Sequence, residues 1–214
     1  MQQLNWTESV FPVCTLLILL LYHVHYYFQV KRSPMQTAIG ITQYLRTFWV
    51  ETVMEQKRDI LAVQTLRNWV MASSLLASTA VLISIGLLSY LFQQNRIIEL
   101  PFSAYLIIGS TRNLDILKIL LLFLNFSFAF LNFTLSIRYY NHVNFMINVP
   151  LDRDDAVTVG YISRILNLGM LHYTLGMRAY YLAGPLLLWL FGPVWMLLGS
   201  VVLVGILYRI DRTA

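Results

Sequence analysis

Four stretches of the chain contain no Asp, Glu, Lys or Arg: residues 9–30, 68–95, 119–137 and 179–208. A helix of about 20 apolar residues crosses hydrocarbon about 30 Å thick, so each stretch is long enough to span a bilayer. The third is the shortest, and Lys118 and Arg138 at its ends can snorkel to the two interfaces. The pattern predicts transmembrane helices at about 9–30, 68–94, 119–137 and 185–208.

Between the first two stretches the pattern becomes amphipathic. Ser33 is placed to cap a helix with Pro34 at its first position. Met35, Ala38, Ile41, Leu45, Phe48 and Trp49 then recur on one side, with Gln36, Gln43, Arg46 and Glu51 elsewhere. Such a helix lies on a bilayer or packs on a partner. Asp59 is placed to cap the next helix, which runs on into the second span. After Pro150, the acidic run Asp152-Arg153-Asp154-Asp155 opens a second amphipathic stretch at 156–177. Arg164 near its middle argues against a fifth membrane segment. The predicted fold is an all-α polytopic membrane protein, a single membrane domain over 1–214. It has four transmembrane helices plus amphipathic cytoplasmic helical segments at 34–67 and 138–178.

Composition agrees. The chain is 58% hydrophobic and 12% charged, whereas a soluble domain carries about 25% charged residues. The formal net charge of +5 would raise nucleic acid as a partner in a soluble protein. Here the basic residues flank apolar runs, as the positive-inside bias produces, and no nucleic-acid partner is read. Ten Lys and Arg fall in the two long connections, against five in the middle loop and C-terminus. That count predicts cytoplasmic connections and both termini outside. Cys14 is the single cysteine, so no intrachain disulfide forms.

Candidate chemistry is sparse. Lys118, Asn125, Asn132 and Tyr139 lie seven apart on the third span, with Ser136 beside them, while Phe123, Phe126, Phe130 and Phe133 mark another face. The polar stripe either lines a solute path or makes hydrogen bonds between helices. On the second span Ser73/Ala77, Ser74/Ser78 and Ala80/Ser84 are small pairs that let a neighbouring backbone approach, and Ser74 and Ser78 could also face a path. Gly184-Pro185 and Gly192-Pro193 interrupt the fourth stretch. Either Pro185 opens the membrane helix and Pro193 kinks it, or the helix is broken as around a substrate. His23, His25, His142 and His172 fall near predicted cytoplasmic ends, where a haem or metal role competes with plain interfacial polarity. Their spacing fits no ligand motif, and no cofactor is read. The aspartates Asp152, Asp154 and Asp155 are better explained as a helix cap than as a cation site. Asn5-Trp6-Thr7 matches a glycosylation triplet but sits against the membrane. No phosphate-cradling glycine loop or nucleophile elbow is present, which leans against an enzyme and leaves the point open.

Two stretches resemble a known family. They are Arg58-Asp59-Ile60-Leu61-Ala62-Val63-Gln64-Thr65-Leu66-Arg67-Asn68-Trp69 with Met71-Ala72-Ser73-Ser74, and Gly176-Met177-Arg178-Ala179-Tyr180-Tyr181 with Pro185-Leu186-Leu187-Leu188-Trp189-Leu190-Phe191-Gly192-Pro193. The sequence is similar, over most of its length, to domain-of-unknown-function family 599, multi-pass membrane proteins of bacteria and plants. The resemblance implies a bacterial inner-membrane setting if the chain is prokaryotic, and it implies no activity.

The leading functional expectation is a homo-oligomer forming a channel or transport path for an ion or small solute. The alternatives are a membrane scaffold whose amphipathic cytoplasmic helices bind a protein or lipid partner, and a histidine-ligated haem or metal protein.

Overall fold

The computed structural model describes residues 6–93, 111–150 and 158–212. The acidic run at Asp152, Asp154 and Asp155 and the Asn5 of the glycosylation triplet lie outside the described residues. Six α-helices form among the described residues: α1 (Trp6–Arg32), α2 (Ala38–Glu55), α3 (Asp59–Gln93), α4 (Thr111–Met146), α5 (Val159–Leu188) and α6 (Pro193–Ile210). The segments Val10–Arg32, Asp59–Gln93, Leu114–Met146 and Pro193–Ile210 are long and apolar enough to cross a membrane. The protein is therefore an all-α, multi-pass membrane protein.

The local sequence accounts for most helix boundaries. A three-residue 3-10 turn, Pro34–Gln36, follows α1, and Ser33 makes no side-chain cap bond. Thr37 takes the capping role instead: its side chain accepts from the Gly40 N–H at 3.3 Å and donates to the Pro34 carbonyl at 2.8 Å. Asp59 lies in the first turn of α3, where a carboxylate meets the positive end of the helix dipole. With 35 residues, α3 is about 52 Å long at 1.5 Å per residue, well beyond the hydrocarbon thickness.

The last apolar stretch is two helices. Pro185 lies inside α5, and Pro193 opens α6, the reverse of the roles expected if Pro185 began the membrane helix. Leu190, Phe191 and Gly192 donate three residues back to Leu187, Leu188 and Trp189, which tightens and ends α5. Gly192 then turns the chain at φ +143°, a conformation L side chains resist, and Pro193 supplies the preset φ of a first helical position.

The chain forms two compact units, 1–27 with 80–128 and 178–209, and 28–79 with 129–177 and 210–214. In the first, Tyr22, Leu203 and Leu207 form one buried cluster and Leu91, Ile116 and Ile119 another. In the second, Val50, Val53, Leu66, Tyr140, Val143, Ile162 and Leu166 form the core, with Trp69 packed between Trp49 and Tyr140.

The second unit also joins the start of α2 to the end of α6. The Ala38 N–H donates to the Asp211 carbonyl at 3.0 Å, and Thr37 and Arg212 form an antiparallel bridge. Atoms 3.0 Å apart share one face of a membrane.

Candidate functional site

The polar stripe of the third span is a seam between α4 and α5. In the first unit, Lys118 pairs with Asp115 at 3.2 Å and lies 5.8 Å from the Trp189 ring centroid. Asn125 there donates through Nδ2 to the Ala179 carbonyl at 2.8 Å. In the second unit, Asn132 Oδ1 and His172 Nδ1 are 2.9 Å apart, and Tyr139 stacks on the same imidazole. Ser136 is fully buried one turn before Tyr140.

The aromatic face does not point outward. Phe126 and Phe133 are 5% and 0% exposed, while Leu124, Phe128, Leu131 and Leu135 form the exposed side. Phe126 meets Tyr180 edge to face in the first unit, and Phe133 meets Tyr173 in the second. In each unit, then, the buried side of α4 carries both a polar and an aromatic residue, Asn125 with Phe126 and Asn132 with Phe133. Residues 132 and 133 are only about 100° apart around a helix, and α5 covers both.

On α3 the packing face is Ser73 and Ala77 in one unit and Ala80 and Ser84 in the other, all buried. Ser74 is half-buried and Ser78 exposed, so the Ser74/Ser78 pair is not part of that face. Gly184 has open space for 4 Å around the point where a Cβ would stand, and Gly192 forms the turn before α6. His23 Nδ1 bonds the Leu19 carbonyl at 2.8 Å. Among the described residues no three His, Cys, Asp or Glu side chains gather as a metal site.

The cavity of most chemical interest lies away from the α4 stripe, in the second unit between α2 and α5. It holds about 410 Å³ and is lined from α2 by Thr42, Gln43, Arg46 and Thr47, and from α5 by Ser163, Arg164, Asn167 and Thr174. Arg46 donates from Nε to Asn167 Oδ1 at 2.8 Å, across 121 residues of sequence. Burial lowers the Arg46 pKa, a shift that Tyr140 partly opposes. An arginine stays charged even so. No carboxylate lines the cavity among the described residues, and Arg46 and Arg164 form no ion pair there. Ser163 is 3% exposed and its hydroxyl has no partner among the described residues. A buried hydroxyl left without a partner costs about 1–3 kcal/mol, so a water or a ligand group entering the cavity would stabilise it.

On the outer side of α2, Tyr44, Leu45 and Phe48 are exposed, with Tyr44 and Phe48 ring to ring at 4.7 Å. This apolar face matches the amphipathic period of the sequence. Half of the cavity's signal was also in the sequence: Arg164 and Asn167 stand three apart on one helical face. What the sequence lacked was any sign that Arg46 would be opposite them.

A family model described as "Protein of unknown function, DUF599" matches residues 10–214. No curated protein and no solved structure matches the chain.

Proposed function

The chain belongs to the DUF599 family of proteins of unknown function, and on that premise we infer that it is a membrane protein in which α2 and the first half of α5 bind an anionic ligand. One observation carries the reading: two arginines and an unpartnered buried hydroxyl line one cavity without a carboxylate among the described residues. Arg46 is half-buried and Arg164 exposed, and an anion in the cavity they line would draw on both charges. The exposed Tyr44, Leu45 and Phe48 fit a helix resting on the bilayer surface, where anionic headgroups are abundant. This belongs with a scaffold or receptor that binds a lipid or small anion. A solute path along α4 gains no support from the seam, because Asn125 and Asn132 bond to α5.

The orientation that goes with this reading has the N-terminus outside and the C-terminus in the cytoplasm. The Ala38–Asp211 bond supports this reading, because it favours an odd number of crossings between the N-terminus and the C-terminus. The fifth is α5, which meets α4 antiparallel through the Lys118–Trp189, Asn125–Ala179 and Phe126–Tyr180 contacts. Arg178 then enters the span against the face of Tyr26, 4.9 Å from the ring centroid. Moving Arg209 and Arg212 inward, with Arg178 taken into the span, turns ten basic residues against five into eleven against three, a stronger positive-inside bias.

The test is thermal unfolding of the purified chain in zwitterionic detergent, with a panel of inorganic and organic anions at matched ionic strength. At least one anion raises Tm, and the rise is absent from the Arg46→Gln/Arg164→Gln double variant. An equal response from the double variant, or none from the wild type, refutes the anion site.

A further inference from the structure

We propose that the group accepted by the α2–α5 cavity is a phosphate, carried as a phosphate ester. The proposal rests on the reading of that cavity as an anion site and names its ligand class. Among the hydroxyls lining it, Thr42, Thr47 and Thr174 donate to carbonyls of their own helices, at Ala38, Gln43 and Met170. Their protons are already committed. Ser163 stands apart: its Oγ is buried and makes no bond to its own helix or to any described neighbour.

The other donors are charged or amide groups. Arg46 commits Nε to Asn167, and this bond fixes the guanidinium and leaves its four Nη hydrogens for acceptors elsewhere. Arg164 brings five N–H groups with no hydrogen bond or ion pair among the described residues, and Gln43 adds an amide.

The balance of charge and oxygens selects the ligand. A carboxylate offers one charge and two oxygens, which leaves one guanidinium uncompensated and the Ser163 hydroxyl competing for an acceptor. A phosphate monoester carries about −1.5 to −2 near neutral pH and three terminal oxygens, enough for two guanidinium groups and a hydroxyl together. Planar guanidinium forks match phosphate edges in paired hydrogen bonds. A cavity of about 410 Å³ holds a phosphate with part of the group it esterifies. Both a lipid headgroup and a soluble ester present this same chemistry.

The experiment titrates the full chain in zwitterionic detergent with inorganic phosphate, and separately with acetate at equal ionic strength, following Tm and tryptophan fluorescence. Phosphate binds and acetate does not. Arg164→Gln weakens phosphate about tenfold and Ser163→Ala about threefold. Both side chains can be changed without breaking a described contact, and circular dichroism checks that each variant is folded. Source is then assigned by competition between inorganic phosphate and two probes, glycerol phosphate in solution and phosphatidate in phosphatidylcholine nanodiscs. Displacement by phosphatidate alone identifies a headgroup, displacement by glycerol phosphate a soluble ester, and either supports the proposal. Acetate binding as tightly as phosphate, with the same dependence on Arg164, overturns the phosphate class but keeps the anion site. Phosphate binding that neither variant weakens overturns the placement. No binding by any anion to folded protein overturns both readings.

Discussion

The ring of Phe133 fills the notch left on α5 by Gly176, where an added Cβ would lie 2.8 Å from two ring carbons. One heptad along, Tyr140 meets Gly169 in the same way, also at 2.8 Å. Both aromatic residues are fully buried, so neither ring has room to retreat. Gly176→Ala should therefore cost about 1–3 kcal/mol through overpacking. Gly184→Ala, on the same helix with open space around it, should be neutral or stabilising by up to about 1 kcal/mol. Thermal unfolding in one detergent compares the two, and equal stability of both variants would refute this α4–α5 register.

Asn132 and His172 form a hydrogen-bonded pair at 2.9 Å in a low-dielectric setting. Their coupling in a double-mutant cycle with Asn132→Leu and His172→Leu should fall near 0.6–2 kcal/mol, roughly the range for polar contacts between membrane helices. Cysteines at 132 and 133, made after Cys14→Ser, should be equally protected from a water-soluble thiol reagent because both sites are buried. Fast labelling at 132 with protection at 133 would restore the solute path.

Topology gives the plainest contrast. Reporters after Gln56 and after Ala214 should give the same cytoplasmic signal, following the Ala38–Asp211 bond. A reporter in the turn at Phe191, between α5 and α6, should give the external one. External signal at Ala214 together with cytoplasmic signal at Gln56 would contradict the fold directly.

The small face of α3 separates packing within the chain from packing between copies. Ala80 is fully buried, so Ala80→Leu should destabilise by about 1–3 kcal/mol. Ser78 is exposed, and Ser78→Leu should leave the melting of an isolated chain within about 0.5 kcal/mol of wild type. A loss of native mass in mild detergent on Ser78→Leu, with unchanged folding, would make this face a contact between copies. Unchanged mass would leave Ser78 facing lipid.

The sequence by itself determined the solvent and the helices. Uncharged runs long enough for a bilayer leave no alternative to helices, because backbone groups in hydrocarbon must bond within their own segment. The amphipathic period of α2 and the acidic start of α3 were equally legible, since capping chemistry is local, whereas two Gly-Pro pairs offered no local reason to choose Pro193 over Pro185 as a helix start. Tertiary structure decided which sides of those helices face inward. Asn132 and Phe133 both turn in because α5 brings glycines to α4, and spacing on α4 alone cannot reveal a notch on another helix. The meeting of residues 38 and 211 through a backbone bond was likewise decided by packing. The candidate site needed the same long reach: Arg46 and Asn167 are 121 residues apart. Their pairing is a fact of packing, and no short-range pattern encodes it.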